Sequence, residues 1–560
     1  MLSRWKKLLP SIILAGAAMV GACDDDGDPT GADTLTAPGN VQATAASNTS
    51  ATVQFGAVSG ADGYVIERAP GTAGEFALLT EVTATTHTDS GLEPGAVYRY
   101  RVAATRGTET SAFSAVAVVE LPDLPTADIV GDITANRTLR ADTVYTLGGF
   151  VHVTNGATLT IEPGTLIRGI PASALFIMRG AKIEAVGTAA APIVMTSSRA
   201  VGQRQPGDWG GLVIVGNGII NRGPSVQLEG TGTVGGTVPG TNYAIDYGSG
   251  TNNADDSGHL EYVRIEFAGF GPVQDAELNS LTLAAVGSGT TIRYVQALGG
   301  LDDHFELFGG AVDMQYLVSY ESGDDHFDMS EGYVGRIQYA IAFQSVVLTP
   351  RPGAGNVSND PQGIENDGCA GANCFNGQNS VPLNIPLVAN FTLIGTGPGV
   401  VPAGGGRGMM LRRGTGGYYV NGVIARWPAY AITLRDAATN QRITDGDLLL
   451  RNLLAAGNGA TFEPDDPASS TRHYSVDAGA NAIETNSSAP ASLFTSLTAS
   501  LEGLDWTPPA GSPAASGGLT SFTGAIATRA GTFVTPTSYR GAADPAGARW
   551  WASWTNYARN

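Results

Sequence analysis

The sequence predicts an all-β protein in which a small N-terminal β-sandwich is followed by a long parallel β-solenoid. The 76 glycines and 30 prolines supply many turns, while a hydrophobic share of 42% is enough to form a core. Short apolar stretches alternate with turn residues from residue 36 onward. From about residue 126, similar stretches recur every 22 or 23 residues, a period typical of solenoid coils.

The net charge limits the possible partners. The formal charge is −20 at pH 7, and no local cluster of basic residues offsets it. Nucleic-acid binding requires clustered Lys and Arg to neutralise phosphates. The sequence therefore predicts no nucleic-acid partner.

The N-terminus has the pattern of an export signal. The first seven residues carry three positive charges, and the apolar run "LLPSIILAGAAMV" is too short to span a bilayer comfortably. The run ends in "VGAC", which resembles a bacterial lipobox with Cys23 as the acylated residue. The alternative is an ordinary signal peptide with an incidental cysteine. We predict a lipoprotein signal peptide over residues 1–22 and a flexible acidic tether over residues 23–35.

This N-terminus predicts a location in the bacterial cell envelope. A lipid on Cys23 makes the membrane a partner of the protein. Asp24 directly follows Cys23, and in some bacteria this residue is a signal for retention at the inner membrane. The outer membrane or cell surface and the periplasmic face of the inner membrane therefore both stay open.

Residues 36–121 are predicted to form the β-sandwich. Short alternating stretches such as "ATVQFGAV", "GYVIERA" and "VYRYRVAAT" are separated by turn residues. Their order and spacing resemble a fibronectin type III domain, with Phe55 where that family usually has a core Trp. The resemblance implies a spacer or binding module, and we favour a spacer.

Residues 122–560 are predicted to form the solenoid. Stretches such as "HLEYVRIEFAG", "TIRYVQALGG", "VDMQYLVSY" and "GRIQYAIAF" can be aligned beneath one another, with Tyr294, Tyr316 and Tyr339 in register. Coils of a solenoid stack about 4.8 Å apart, so equivalent residues form ladders along its axis.

From about residue 126 to the end, the chain also resembles a family of exported bacterial right-handed parallel β-helix proteins. The matching stretches are "GATLTIEPGTLIRG", "GDWGGLVIVGNG", "ELNSLTLAAVGSGTTI", "DDHFELFGGAVDMQYLVSYESGDDHFD" and "WWASWTNYARN". Members are mostly surface or secreted proteins. The resemblance therefore implies a right-handed parallel β-helix and an exported location, but no particular reaction.

The tetrapeptide DDHF occurs twice, 22 residues apart, at residues 302–305 and 324–327. This spacing predicts that Phe305 and Phe327 stack inside adjacent coils, with the acidic pairs one above the other. The histidines His304 and His326 are expected to be polar groups on the turn. The four stacked carboxylates are Asp302, Asp303, Asp324 and Asp325.

Stacked carboxylates repel one another, so the arrangement needs an explanation. Hydrogen bonds to turn N–H groups are one explanation and imply no function. A Ca²⁺ ion held by oxygen atoms from neighbouring coils is the second. The third is catalysis, with one carboxyl group kept protonated by its neighbours.

A predicted irregular excursion over residues 344–386 lies next to this ladder and is expected to form a wall of a lateral groove. It contains Cys369 and Cys374, for which a local disulfide is favoured over a metal-binding pair. The acidic candidates added by this region are Asp328, Glu365 and Asp367, and the basic candidates are Arg412, Arg413 and Arg435. One of the arginines could act as a base, but we favour arginines that pair with the acids or stack between coils.

The C-terminal "RWWASWTNYARN" contributes four aromatic residues. A platform for stacking sugars is one interpretation. The favoured one is a cap that covers the exposed core and strand edges of the last coil. The four residues are Trp550, Trp551, Trp554 and Tyr557.

Two functions remain in consideration. The first is a lipid-anchored envelope protein whose non-catalytic β-helix binds a glycan, a surface or a protein partner, with Ca²⁺ as the possible cofactor. The second is a polysaccharide lyase or glycoside hydrolase acting in the acidic groove. Polygalacturonase-like and pectate-lyase-like enzymes work in such grooves, the first with clustered Asp and the second with Ca²⁺ and a basic residue.

Overall fold

The computed structural model confirms the predicted fold class: an antiparallel β-sandwich followed by a parallel β-helix. Within the described residues, no helix is long and apolar enough to cross a membrane. The predicted signal peptide and the lipidation site Cys23 lie outside the described residues. The structure describes residues 34–232, 243–271, 276–369, 371–402, 404–466, 472–486, 492–497, 501 and 504–558.

The N-terminal domain consists of two antiparallel sheets. The first contains β1 (Gln42–Ser47), β2 (Ser50–Gln54) and β5 (Thr86–Ser90), and the second contains β3 (Gly63–Pro70), β4 (Ala77–Val82), β6 (Val97–Arg106), β7 (Glu109–Thr110) and β8 (Ala117–Glu120). Alternate residues of β6 point into a common core because side chains along a strand alternate between faces. Phe55 packs edge-on against Tyr64 in that core, with 4.8 Å between ring centroids.

One long parallel sheet, which we call the front sheet, forms one face of the β-helix. The interior side chains of its strands pack against those of the opposite sheet in a continuous apolar core. Its strands are β12 (Phe150–Val153), β15 (Ala174–Ile177), β18 (Gly211–Val215), β20 (Leu281–Ala284), β22 (Phe305–Phe308), β24 (Phe327–Ser330), β26 (Gln362–Asp367), β29 (Arg407–Arg412), β32 (Tyr430–Arg435) and β35 (Ala460–Phe462), with β36 (His473–Tyr474) antiparallel to β32.

The remaining faces of the β-helix are formed by a second sheet, which we call the back sheet. Its long central strands bend, so that each strand contributes to two faces. Among the described residues it contains 17 strands. They are β9 (Thr126–Val130), β10 (Arg137–Leu139), β11 (Val144–Gly148), β13 (Thr158–Ile161), β14 (Leu166–Gly169), β16 (Lys182–Val186), β17 (Ile193–Ser197), β19 (Gly258–Glu266), β21 (Thr291–Leu298), β23 (Asp313–Tyr320), β25 (Arg336–Phe343), β28 (Leu387–Ile394), β30 (Gly417–Val420), β31 (Val423–Ala425), β33 (Leu448–Arg451), β34 (Leu454–Ala456) and β37 (Glu484–Asn486).

The bend of each long strand lies at a residue in the left-handed region. Tyr294 and Tyr316 have φ of 53° and 61°, and their rings stack 4.5 Å apart. On later coils of the β-helix, the residue at the bend is Asn, which tolerates the left-handed conformation better than most residues. The ladder runs through Tyr262, Tyr294, Tyr316, Tyr339, Asn390, Asn421 and Asn452.

The C-terminal aromatics do not cap the last coil, so that prediction is wrong. Trp554 packs edge-on against Tyr262 and Tyr294, and Trp550 against Tyr316, on central coils of the back sheet. The segment is fixed there by polar contacts, including a hydrogen bond from Gln296 Nε2 to the carbonyl oxygen of Asn556. Stacked tyrosine rings form an apolar ladder on this surface, and the tryptophans partly cover it.

Four short elements complete the described fold, one of them a 3₁₀ helix over Pro513–Ala515. The helix α1 (Ala437–Asp445) follows β32, and its N-cap residue Asp436 accepts a hydrogen bond from the Thr439 N–H. The helix α2 (Gly524–Ala530) packs Ile526 and Ala530 against the outer face of β28 and β30. The strand β27 (Phe375–Gln378) lies in the loop that follows β26.

Candidate functional site

The two DDHF segments occupy equivalent positions on adjacent coils, as predicted. The strands β22 and β24 are paired in parallel with Phe305 opposite Phe327. Both rings are buried and stack 5.1 Å apart at an angle of 13°. This register places Glu306, Asp328 and Glu365 in one row on three successive front-sheet strands.

The acidic pairs form a second row at the start of the same strands. Asp303 Oδ1 accepts a hydrogen bond from the Asp325 N–H at 2.8 Å, and Asp325 Oδ1 accepts one from the Gln362 N–H at 2.8 Å. Hydrogen bonding to turn N–H groups, the first of the three explanations, therefore accounts for part of the ladder. We call the outer surface formed by these two rows the acidic face.

The carboxylates of the acidic face form two overlapping trios. One carboxylate oxygen from each of Asp302, Asp303 and Asp324 lies within 4.8 Å of the others, and the same is true of Asp303, Asp325 and Asp328. Asp303 belongs to both trios. Groups from two adjacent coils thus converge at two points on one surface.

Burial and mutual repulsion raise the pKa values of these acids. The pKa values of Asp302, Asp303 and Asp325 lie well above the ordinary Asp value, first because burial disfavours the charged form and then because neighbouring carboxylates repel it. Burial raises the pKa of Asp324 to about 6 and that of Glu365 to about 7. Without a counter-charge, this face cannot be fully ionised near neutral pH.

Glu365 and Asp367 are not part of an irregular loop, so the predicted excursion over residues 344–386 is wrong in its middle. Both belong to β26, which continues the front sheet between β24 and β29. The sequence analysis did not predict β26 because long segments on both sides separate it from the neighbouring strands. Glu365 and Asp367 consequently extend the acidic face by one coil.

The candidate arginines do not all join this face. Arg412 donates to Glu365 at 2.6 Å and to Asp367 at 2.8 Å, and Arg413 also pairs with Asp367. Arg435, one coil further, pairs with Glu463. Despite the cost of burial, its acidic neighbours hold the pKa of Arg412 above the ordinary Arg value.

The histidines of the repeat are buried inside the coils, so the prediction of polar groups on the turn is wrong. Ser319 Oγ lies 2.6 Å from His304 Nδ1 and 2.5 Å from His326 Nδ1. The Gly300 N–H donates to His304 Nε2. Burial lowers the pKa of His326 to about 3, so this histidine is neutral near neutral pH.

Sequence reasoning missed two further acids. Glu306 is buried, accepts a hydrogen bond from Asn279 Nδ2, and has a pKa well above the ordinary value because of burial and then the nearby Glu229. The signal for Glu306 was present, since both DDHF segments are followed by an acid. The pKa of Glu229 is raised to about 7 by desolvation and then by repulsion from Glu277, although the residue is exposed at the surface. It lies outside the repeat, so no periodic signal marked it.

The segments around the C-terminal ends of the acidic strands are firmly held. Cys369 and Cys374 form the predicted disulfide. Arg222 donates to both the Ala372 carbonyl and Glu331, and Tyr247 donates to Glu331 at 2.6 Å. These contacts hold the disulfide loop beside the front sheet. They also hold there the segment before β19 that contains Arg222 and Tyr247.

Two buried oxygen atoms on this surface lack a hydrogen-bond donor within the described residues. One is Asp328 Oδ1 and the other is Gln362 Oε1, whose side chain is 6% exposed and whose position is in register with Asp325. Unpaired buried oxygens are costly, and a bound cation would satisfy them. The oxygen spacing also fits Ca²⁺, because two ligands on opposite sides of the ion are about 4.6–5.2 Å apart.

Comparison with known families agrees with this architecture. The family model described as "Pectate-lyase like beta helix domain" matches residues 131–494, and the fibronectin type III model matches residues 36–120. The first match covers more than half of the chain. The chain therefore belongs to the pectate-lyase-like β-helix family and carries an N-terminal fibronectin type III domain.

Individual solved structures that resemble part of the chain add little information about its function. A fibronectin-type-III-like protein from Clostridium thermocellum is 27% identical, covering 16% of this chain and 97% of its own, with a TM-score of 0.15. The FN5 domain of Drosophila Lar is also 27% identical, covering 16% of this chain and 98% of its own, with a TM-score of 0.15. No curated protein matches the chain. These short similarities carry no argument about function.

Proposed function

We propose that this chain is a cell-envelope binding protein whose acidic face holds Ca²⁺ and binds a glycan or another surface ligand through the ion. The observation that supports this most directly is the pair of carboxylate trios on adjacent coils, which share Asp303. The fold and family are compatible with a surface or binding protein and with a pectate-lyase-like enzyme. The choice between these depends on the chemistry of the face.

Calcium suits this face better than magnesium. Ca²⁺ accepts six to eight oxygen ligands in flexible geometry, whereas Mg²⁺ demands a tight octahedron and gives up water reluctantly. Three carboxylates do not need to fill every position around Ca²⁺. The remaining positions are available to hydroxyl or carboxylate oxygens of a ligand, so ion binding and ligand binding would be coupled.

The arginines argue against lyase chemistry. A lyase needs a base that removes a proton from the substrate, and a base must be able to lose its own proton. Arg412 is held protonated by Glu365 and Asp367, and Arg413 is paired with Asp367. Their role is to offset the charge of the third acidic strand.

A glycoside hydrolase is the second candidate, favoured by one specific observation. Asp324 and Glu365 have pKa values raised to about 6 and about 7. A carboxyl group that stays protonated near neutral pH can act as a general acid, while a nearby carboxylate acts as a base or nucleophile. This alternative uses the acidic face without a metal ion.

The position at the membrane is a second part of the proposal. The lipobox-like "VGAC" would attach Cys23 to a lipid, and the acidic tether would connect it to the first domain. The fibronectin type III domain would then act as a spacer that holds the β-helix away from the bilayer. The pattern at the N-terminus supports this arrangement.

One experiment separates binding from catalysis. Purified protein would be incubated with a panel of acidic and neutral polysaccharides in Ca²⁺ or in chelator, with retention, new reducing ends and unsaturated products all measured. We expect Ca²⁺-dependent retention without products. Retention should be lost in the double variant Asp303→Asn with Asp325→Asn but kept in Asp142→Asn with Asp445→Asn, which makes the same charge change at exposed sites. Product formation would favour the enzyme, and equal retention in chelator would contradict the Ca²⁺ proposal.

A further inference from the structure

A cavity of about 310 Å³ lies where the fibronectin type III domain meets the β-helix, away from the acidic face. Its walls come from three parts of the chain. The first domain contributes Arg68 and Tyr98, the back sheet contributes Arg264 and Tyr320, and the C-terminal segment contributes Tyr557. Small-molecule sites occur preferentially at such domain interfaces, with volumes of roughly 300–1,000 Å³.

The cavity is a fixed feature because the two domains are joined by buried ion pairs. Glu93 of the first domain pairs with Arg204 of the β-helix through both of its carboxylate oxygens, and with Arg168 at 3.2 Å. Despite burial, these arginines hold the pKa of Glu93 below its ordinary value. The Leu501 N–H also donates to the Leu78 carbonyl across the junction.

Two guanidinium groups in the walls use only part of their hydrogen-bond donors. Arg68 uses a single nitrogen, Nη1, for its bonds of 2.8 and 2.9 Å to the two oxygens of Asp89. Arg264 places Nε 3.0 Å from Glu266 and donates from Nη1 to the Trp554 carbonyl. Within the described part of the chain, the Nη2 group of each arginine is left for another acceptor.

The other walls are aromatic. Tyr98, Phe267, Tyr320 and Tyr557 all line the cavity, and none is more than 4% exposed. Flat aromatic walls favour a planar ring between or against them. The side chain of Arg68 itself lies 5.5 Å from the centre of the Tyr98 ring.

The charges of the lining favour an anion. Four arginines in and around the lining contact three acids, which leaves one positive charge in excess, and the remaining acid of the lining, Glu75, is exposed: the arginines are Arg68, Arg168, Arg204 and Arg264, and the acids are Asp89, Glu93 and Glu266. This balance contrasts with a whole-chain charge of −20. A planar guanidinium fork matches the geometry of a carboxylate, and a single excess charge matches a monoanion.

We propose that this interdomain cavity binds a small aromatic carboxylate, with its ring against the tyrosines and its carboxylate between Arg68 and Arg264. Such a ligand would contact both domains and the C-terminal segment at once. It would therefore stabilise their junction, since a ligand that binds only the folded arrangement raises its stability. The site is independent of the proposed Ca²⁺-dependent face.

The test uses the full chain with benzoate as the probe and benzamide as its neutral analogue, and measures binding by calorimetry and by the shift in melting temperature. We expect benzoate to bind at millimolar concentrations or below and benzamide to bind roughly tenfold more weakly or worse, because a charge-assisted contact is lost. Arg68→Lys keeps a charge beside Asp89 but removes the fork, and should weaken benzoate binding by a similar factor. Arg106→Gln, in the same domain but outside the lining, should leave it unchanged.

A second variant controls for the case in which changing Arg68 disturbs the structure around it. Val201 lines the cavity from a partly buried loop position, so Val201→Trp should fill the space and exclude benzoate while Asp89 stays paired. Weaker binding in Arg68→Lys and loss of binding in Val201→Trp, with unchanged binding in Arg106→Gln, support the site. No benzoate binding by the unmodified chain, equal binding of benzamide, or benzoate binding that survives Val201→Trp would each overturn it.

Discussion

Asp303 Oδ1 accepts a hydrogen bond from the backbone N–H of Asp325, its counterpart one coil further along the β-helix, at 2.8 Å. Asp325 repeats the contact with the N–H of Gln362. One oxygen of each carboxylate thus joins two coils. Asp303 also belongs to both carboxylate trios, so the residue that joins the coils lies at the centre of the proposed ion site.

The stacked pair beneath this ladder should be essential for local stability. Phe305 and Phe327 are 0% and 1% exposed, so Phe305→Ala or Phe327→Ala would leave a cavity in a close-packed interior. We expect either change to cost about 3–5 kcal/mol. Because each coil contacts mainly its neighbours, the loss should be concentrated in a few coils. Hydrogen exchange measured along the chain would show which coils lose stability.

An exposed phenylalanine serves as the matched control for this prediction. Phe375, which follows the disulfide and begins β27, is 75% exposed, and Phe375→Ala should change stability by no more than about 0.5 kcal/mol. Equal effects at Phe305 and Phe375 would mean that the central coils do not depend on the stacked rings.

Periodicity explains why much of the fold was predictable. Residues one coil apart are neighbours in a solenoid, so the 22-residue spacing of Phe305 and Phe327 already implied their contact. The packing of Trp554 on Tyr262 was not predictable in this way. These residues are nearly 300 positions apart, and no repeat connects them.

The site was only partly predictable for a related reason. The repeat revealed Asp303 and Asp325. Whether the side chains of the next residues point into the coil or out of it, however, depends on the corner of the coil at which they lie. There both His304 and Phe305 turn inward, which strict alternation along a strand does not predict. The interior partner Ser319 lies on the back sheet, so only the folded coil brings it to the histidines.

The lipid anchor remains a prediction and can be tested directly. Because "VGAC" follows a charged segment and a short apolar run, Cys23→Ser should release the protein from membranes or block its processing. Cell fractionation and mass measurement of the mature N-terminus provide the readout. Cys374→Ser, which removes a disulfide cysteine instead, should fractionate like the unmodified protein. Membrane association of Cys23→Ser with an unchanged N-terminus would contradict the anchor.

The acidic face should make stability depend on pH when divalent cations are removed. Asp324 and Glu365 have pKa values of about 6 and about 7 in the folded protein, whereas carboxyl groups of unfolded chains titrate near 4. The folded state therefore binds more protons between these values, and its stability decreases as pH rises. In chelator, the melting temperature should fall between about pH 4 and pH 7.

The buried histidines act in the opposite direction and require a control. With a pKa lowered to about 3, His326 gives up its proton on folding, so its contribution to stability is lost as pH falls below about 6.5. The double variant Asp324→Asn with Glu365→Gln removes the two acids and keeps both histidines. Its melting temperature should fall less steeply with pH, and identical slopes would show that these acids do not carry the effect.

Calcium should relieve the same repulsion at constant pH. If the ion binds the folded face alone, it adds about 2.7 kcal/mol to the free energy of unfolding at 100 times its dissociation constant. We expect chelation to lower the melting temperature of the β-helix, Ca²⁺ to restore it, and Mg²⁺ to restore it less. Asp303→Asn with Asp325→Asn should abolish the response, because Asp303 is common to both trios and Asp325 belongs to one. A melting curve indifferent to chelator and Ca²⁺ would leave the acidic pairs as groups that only accept hydrogen bonds from the next coil.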